Sequence, residues 1–382
     1  MLLNSPLMES KRREAALKII NSKVKKNRQN LYDLTGLSGG FPLKKNDINL
    51  LETYAGPAIF EEKLHPLGIE HLGGEKVLAL NRTSSGLLAS ILALVKPGGE
   101  TVHYLPQLPS HPSIPLSLKL LGAENREITK LSQLKVSEKT DLVIITASTM
   151  DHHVIGESEF REIIDAAHKQ QVPVLVDDAS GARLRTVVYH QPRALDMGAD
   201  LAITSTDKLM DGPRAGLMSG KAGLVDLVKT KAHQFGLEAQ PPLIAGIVRA
   251  LENYNPERIN NSISRKKELY KELQDKFLVK ETPTGIMLQA DDLMDKLKDV
   301  ETSLKPSDVS GVLAMILLRN HNIVTIPAVG MPGASPTIRL DMASRDAERM
   351  DNKTIIHALE KSFNELRKVI LNTNLCKEIL FE

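Results

Sequence analysis

Between Lys76 and Thr204 the chain repeatedly alternates a short apolar run with a stretch of helical spacing, and this alternation limits the architecture more than anything else in it. Lys76–Leu80, Thr101–Leu105, Asp141–Thr146, Val172–Asp177 and Leu201–Thr204 read as strands. Between them, Leu87, Leu88, Ile91, Leu92 and Val95, then Ser113–Leu121 and Phe160–Gln170, read as helices. Runs such as Asp141-Leu-Val-Ile-Ile-Thr146 lack a polar face, so they belong in a sheet covered on both sides. The expected fold class is therefore α/β with a mostly parallel sheet, and ligands of such sheets gather at the carboxyl ends of the strands.

Several chemically capable groups follow those ends. Thr83, Ser84, Ser85 and Gly86 follow the first run, Ser148 the third, Asp177 and Asp178 the fourth, and Lys208 the fifth. Lys208 sits in Ser205-Thr-Asp-Lys-Leu-Met-Asp-Gly-Pro-Arg-Ala-Gly216, a turn rich in small residues. A displayed lysine and a strand-end carboxylate suit pyridoxal phosphate. The amine forms a Schiff base with the cofactor's aldehyde, and the carboxylate keeps the pyridine nitrogen protonated. An ordinary surface lysine in a Gly-Pro turn is the competing reading. Gly216-Leu-Met-Ser-Gly220-Lys221 is one residue too short for a phosphate loop and lacks the following Ser or Thr, which excludes that type of ATP site. Thr83, Ser84 and Ser85, opening a helix, offer hydroxyls and unpaired N–H groups to a phosphate, although Thr83 or Ser84 serving only as an N-cap fits equally well.

Composition narrows the class further. The chain has 382 residues, a formal charge of +2 and one cysteine, Cys376, in a segment that reads as tail. That charge does not argue for nucleic acid, and a lone cysteine forms no internal disulfide. No apolar run approaches the ~20 residues of a membrane span, and Met1–Lys26 is charged rather than signal-like, so a cytoplasmic location is expected. No Cys/His spacing suggests zinc, and His152-His153 reads as a solvated loop pair. Ser10–Lys26 reads as an amphipathic helix with a basic face of Lys11, Arg12, Arg13, Lys18, Lys23, Lys25, Lys26 and Arg28. A solvated face or packing arm is favoured there over RNA contact.

The segments suggest an arm over residues 1–30, a large domain over 31–255 and a small α+β domain over 256–382. In the last of these, Arg339 in Pro336-Thr-Ile-Arg-Leu-Asp341 either binds a substrate carboxylate or pairs with Asp341 on the sheet surface. His111, in Pro109-Ser-His-Pro112, stands where a residue stacking on a cofactor ring would fall, or is a plain loop histidine. Arg214, close to Lys208, is a candidate for a phosphate or an anionic substrate.

The lysine segment resembles the corresponding motif of bacterial selenocysteine synthase, Ser-Gly-Asp-Lys-Leu-Leu-Gly-Gly-Pro-Gln-Ala-Gly, at eight of twelve positions. Asp177-Asp-Ala-Ser-Gly181 is similar to that family's Asp-Leu-Gly-Ser-Gly, and this selects Asp177 over Asp178 as the partner of the ring nitrogen. Asn81-Arg-Thr-Ser-Ser-Gly86 and Ser148-Thr-Met stand where the family has its phosphate turn and a Ser-Asn-Tyr segment. The resemblance implies the fold type I, aspartate-aminotransferase-like architecture, a homodimer or larger homo-oligomer, and pyridoxal 5'-phosphate held by Lys208, Asp177, Thr83, Ser84, Ser85, Ser205, Ser148 and His111. It implies elimination or replacement chemistry on an amino-acid-type substrate. Ammonia-lyase activity on amino sugar acids, or a binding or regulatory role without turnover, are the alternatives. The bacterial family has a longer N-terminal region that holds tRNA, whereas about 30 residues precede Tyr32 here, so a tRNA-borne substrate is not favoured.

Overall fold

The computed structural model describes all 382 residues, which divide into two compact units, Ser38–Pro256 and Met1–Leu37 with Glu257–Glu382. The strands in chain order are β1 (Tyr32–Asp33), β2 (Lys76–Leu80), β3 (Glu100–Tyr104), β4 (Glu124–Ile128), β5 (Thr140–Thr146), β6 (Val174–Asp177), β7 (Leu201–Ser205), β8 (Gly216–Gly220), β9 (Lys280–Glu281), β10 (Gly285–Leu288), β11 (Ile323–Val324) and β12 (Ile338–Asp341).

In the unit Ser38–Pro256 seven strands form one sheet in the order β2-β8-β7-β6-β5-β3-β4. Only β8 is antiparallel to its neighbours, so the carboxyl ends of the other six share one edge. The strands are continuous in apolar character because both faces are covered. Leu142, Ile144, Leu175 and Ile203 pack with Leu87, Ile91, Ile114 and Val225 of the helices Thr83–Leu94, Ser113–Leu120 and Ala222–Phe235. Val143, Ile145, Val174 and Val176 face the other way, onto Phe160, Ile163 and Ile164 of helix Glu157–Lys169.

Two elements of this unit escape sequence reading for physical reasons. β4, Glu-Asn-Arg-Glu-Ile, is an edge strand of mainly polar residues, so no apolar pattern marks it. Helix Ala55–Leu72 carries Pro66 inside it, and its glycines meet close neighbours: a Cβ on Gly68 would lie 2.8 Å from Val77.

The second unit holds the sheet β12-β10-β9 and the parallel pair β1-β11. The sequence division made residues 1–30 a separate arm and began the large domain at 31. In the structure Met1–Leu37 groups with the C-terminal segment. Ala15 and Ala16 of helix Pro6–Asn27 are buried in that unit's core, and Tyr32 pairs with Ile323. The basic face is correspondingly reduced. Arg12 is buried and donates to the Gly330 carbonyl, Lys23 donates to the Arg319 carbonyl, and Arg28 pairs with Asp346. The segment around Cys376 is not a tail but the helix Thr373–Phe381, capped by Asn372, with Cys376 and Leu380 buried one turn apart. His152 is likewise not solvated: it is buried in a turn with φ 63°. No helix is long and apolar enough to cross a membrane.

Candidate active site at the carboxyl edge of the sheet

Strand β6 delivers Asp177 and Asp178 to the edge, where their surroundings separate them. Both oxygens of Asp178 accept from the buried Arg185, through Nε at 3.2 Å and through Nη2. The Arg185 guanidinium also lies over the Phe160 ring, 5.1 Å from its centroid. Asp178 is thus committed to holding the turn after β6. Asp177 is as well buried, yet its Oδ1 has no hydrogen-bond partner. Burial raises its pKa, opposed by the positive charges of Lys208 and His103 and reinforced by Asp178. Among the protein's own groups burial prevails.

Strand β7 ends at Ser205, and a closed loop leads back into β8. Thr206 N–H donates to the Ala215 carbonyl at 3.0 Å, its hydroxyl donates to the Pro213 carbonyl at 2.6 Å, and Gly212 N–H returns to the Thr206 carbonyl at 3.0 Å. A Cβ on Gly212 would stand 2.5 Å from that carbonyl, so only glycine closes the loop this tightly. Lys208 lies in it and is followed by Leu209 at φ 55°, a left-handed conformation that bulky residues avoid. Asp207 accepts from the Ser205 hydroxyl and from Arg214 Nε at 3.1 Å. The structure therefore occupies two predicted ligand groups, Ser205 and Arg214, with a carboxylate beside the lysine.

The buried Arg183 fastens the β6 and β7 turns together, donating to the carbonyls of Ala179 at 2.9 Å and Ser205 at 2.6 Å and to the Thr204 hydroxyl at 2.9 Å. Its Nη1 lies 3.1 Å from His71 Nε2. Burial, then the charges of Arg183 and Arg193, depress the His71 pKa to about 3. Ser148 joins the same framework through the Ser180 hydroxyl at 3.1 Å.

Helix Thr83–Leu94 begins where β8 begins. A Cβ on Gly216 would lie 2.8 Å from the Arg82 carbonyl and 2.9 Å from Thr83 N, and Gly216 pairs with both Ser205 and Leu80. The N-cap residue is Arg82, with no side-chain cap, so neither Thr83 nor Ser84 caps this helix. The N–H groups of residues 83–85 precede the first bond of the helix ladder, Gly86 N–H to the Arg82 carbonyl. The Thr83 hydroxyl is buried without a partner. Ser84 and Ser85 line an open groove with Leu116 and Leu120.

His111 accepts at Nδ1 from Ser113 N–H at 3.3 Å and contacts the Ser113 hydroxyl at 2.7 Å. The residue is exposed, yet the protein packed around it, then the charges of Lys208 and Arg82, lower its pKa to about 4. The edge thus gathers Thr83, Ser148, Asp177, Ser205, Lys208, Arg214 and His111 within one unit. Arg339 belongs to the other, on β12, buried rather than on the sheet surface, and donates to the Thr35 carbonyl at 3.3 Å. Sequence reading missed His103, Thr146 and Arg183. A histidine inside the apolar run Thr-Val-His-Tyr was a usable signal for the first, and nothing local marked Arg183.

The fold is that of the fold type I, aminotransferase-like pyridoxal-phosphate proteins. Aspartate aminotransferase from Thermotoga maritima superimposes with a TM-score of 0.59 over 93% of this chain and 96% of its own, at 17% identity, a likeness of fold alone. The chain belongs to the UPF0425 pyridoxal phosphate-dependent proteins: it is 56% identical over 352 residues to the member from Methanothermobacter thermautotrophicus, covering 92% of each. The UPF0425 C-terminal domain matches residues 275–351, and the L-seryl-tRNA selenium transferase family matches residues 112–310. The L-seryl-tRNA(Sec) selenium transferase of Nitratidesulfovibrio vulgaris is 26% identical over 211 residues, 50% of this chain and 45% of that one. The family is thereby related to selenocysteine synthase.

Proposed function

We propose that the protein is an enzyme that eliminates or replaces a side-chain substituent of an amino-acid-type substrate, using pyridoxal phosphate at the carboxyl edge of the large sheet. The observation that carries this is the pair of buried polar atoms without protein partners, Asp177 Oδ1 and Thr83 Oγ1, on the edge that also bears Lys208. Unpartnered buried polar groups are uncommon and costly, and these two suit opposite ends of the cofactor. Bound pyridoxal phosphate supplies an aldehyde that takes up primary amines and a ring that withdraws electrons from the substrate's α-carbon.

Asp177 Oδ1 would accept a hydrogen bond from the ring nitrogen of bound pyridoxal phosphate, and a proton there would favour the ionised carboxylate that burial alone disfavours. The Thr83 hydroxyl and the N–H groups of residues 83–85 hold the phosphate at the positive end of the helix, with Ser84 and Ser85 beside them. Lys208 Nζ would hold the cofactor covalently and, once displaced by the substrate's own amine, would be free to move the proton at the substrate's α-carbon. His111, kept neutral, covers a ring face, and Ser148 steadies the turn after Asp177. Arg214 commits its Nε to Asp207 and serves an anionic substrate through the rest of its guanidinium.

The substrate is read as a small molecule because three cations of the N-terminal segment, Arg12, Lys23 and Arg28, are engaged within their own unit. A second copy is proposed to cover the exposed Leu108, Leu116 and Leu120 on and near helix Ser113–Leu120, making a homo-oligomer. The test is reconstitution with pyridoxal phosphate, followed by assay of phosphoserine, cysteine, amino sugar acids and seryl-tRNA. A visible absorbance band that disappears in Lys208→Ala, with turnover of one of the small molecules, is the expected result. Absence of the band removes the cofactor reading. A band without turnover of any of them leaves a binding or regulatory homologue, and turnover of the tRNA alone overturns the small-molecule reading.

A further inference from the structure

One face of the large sheet carries a polar row where apolar residues prevail. Glu127 on β4 is in register with His103 on β3, and Thr146 on β5 is in register with Asp177 on β6. His103 Nε2 and the Thr146 hydroxyl, on strands that pair through His103 and Ile144, are 2.8 Å apart. Four strands adjacent in the sheet thus present Glu, His, Thr and Asp in sequence, on the face where Leu142, Ile144 and Leu175 are core.

The row is graded from surface to interior. Glu127 is partly exposed, with a side-chain accessibility of 26%, while His103 is fully buried. His103 Nδ1 has no hydrogen-bond partner and stands 3.6 Å from Glu127 Oε1, within ion-pair range but beyond a hydrogen bond. Glu127 also accepts from the Ser110 hydroxyl and, at 3.2 Å, from Asn125 Nδ2. His103, Ser110 and Asn125 outweigh partial burial and hold its carboxyl down to about 2. Ser110 precedes His111, so the same carboxylate also anchors the loop of the proposed stacking residue.

We propose that Glu127, His103 and Thr146 form a positioning ladder that favours the ionised form of Asp177 and directs it at the cofactor's ring nitrogen. This rests on the reading of Asp177 as that nitrogen's partner. An anion at Glu127 favours a proton on Nδ1. With both ring nitrogens protonated, Nε2 donates to the Thr146 oxygen, whose own hydrogen turns away from His103. The strand on its other side is the one bearing Asp177. Carrying both protons, the imidazole would steady the carboxylate by charge, in keeping with the way His103 and Lys208 oppose the effect of burial at Asp177.

The experiment uses the full chain reconstituted with pyridoxal phosphate labelled with nitrogen-15 in the ring, and reads the ring-nitrogen resonance at one fixed neutral pH. Wild type is expected to show a protonated ring nitrogen. Glu127→Gln and Thr146→Val, each close in volume to the original, are expected to shift the resonance toward neutral pyridine, by a fall in proton affinity of about ten-fold. Thr146→Ser restores the hydroxyl and the signal. Circular dichroism establishes that each variant is folded, and the Lys208-dependent visible band establishes that it holds the cofactor. If Thr146→Val does not fold, Glu127→Gln, at the exposed end, decides alone. Folded, coloured variants with an unmoved resonance overturn the ladder, as does a neutral ring nitrogen in wild type. Absence of the coloured band in wild type overturns the underlying cofactor reading as well, and is seen before any variant is made.

Discussion

Asp177 at the edge of the large sheet and Asp346 in the other unit are both buried carboxylates, and the protein treats them in opposite ways. Asp346 accepts from Arg28 Nη2 and Asp33 N–H, each at 2.8 Å, and pairs with Arg349 at 2.8 Å. Against the cost of burial, these three partners hold its pKa below the ordinary value. Asp177 Oδ1 has no such partner, and its pKa rises. The contrast separates a carboxylate that stabilises its unit from one whose burial weakens it, as the proposed ligand site requires.

The largest expected effect tests the edge itself. Lys208→Ala should remove the visible band and lower turnover by about a thousand-fold or more, measured by absorbance and steady-state assay. Asp177→Asn should retain colour and fold but lower turnover by roughly a hundred-fold, because a neutral amide does not hold the ring nitrogen's proton. Its counterpart, Asp346→Ala, should leave the colour unchanged and cost about 1–3 kcal/mol in denaturant unfolding. A stable Asp346→Ala protein would break the contrast.

Acidity sharpens it, because the two aspartates have opposite signs. The folded pKa of Asp346 is depressed, so its stabilisation is present above the unfolded value of about 3.9 and is lost as pH falls through the folded pKa. The folded pKa of Asp177 is raised, so the cofactor-free protein loses stability as pH rises from about 3.9 through the folded value. Cofactor-free Asp177→Asn should therefore melt above wild type at neutral pH, with the gap closing below about pH 4. His71 gives a smaller effect. Its pKa of about 3 means that the neutral imidazole's contribution fades as pH falls from about 6.5, by at most about 2 kcal/mol at pH 5. Melting of His71→Gln against wild type between pH 7 and pH 5 reads this as a shallower slope in the variant.

Much of the edge was legible because strand ends are marked by a change from apolar to small polar residues. The runs ending at Leu80, Thr146 and Asp177 end there in the structure. The lysine segment and Asp177 were also legible by likeness to selenocysteine synthase, but the commitment of Asp178 to Arg185 was not, since that bond depends on a turn of helix between them. The ladder escaped because its neighbouring rungs are 24 to 43 residues apart in the chain and meet only through strand register. Cys376 was misjudged because a short helix with two buried positions has too little pattern to stand out from a tail.

Leu209 bears on how the lysine keeps its bearing. The residue is 4% exposed while its main chain is left-handed, so the core grips the residue immediately after the amine. The aim of Lys208 is consequently written into main-chain torsions that outlast any single side-chain contact. An exchange of Leu209 for glycine would relieve the torsional tension yet let the lysine wander, so on the proposed reading the more relaxed protein would be the poorer catalyst.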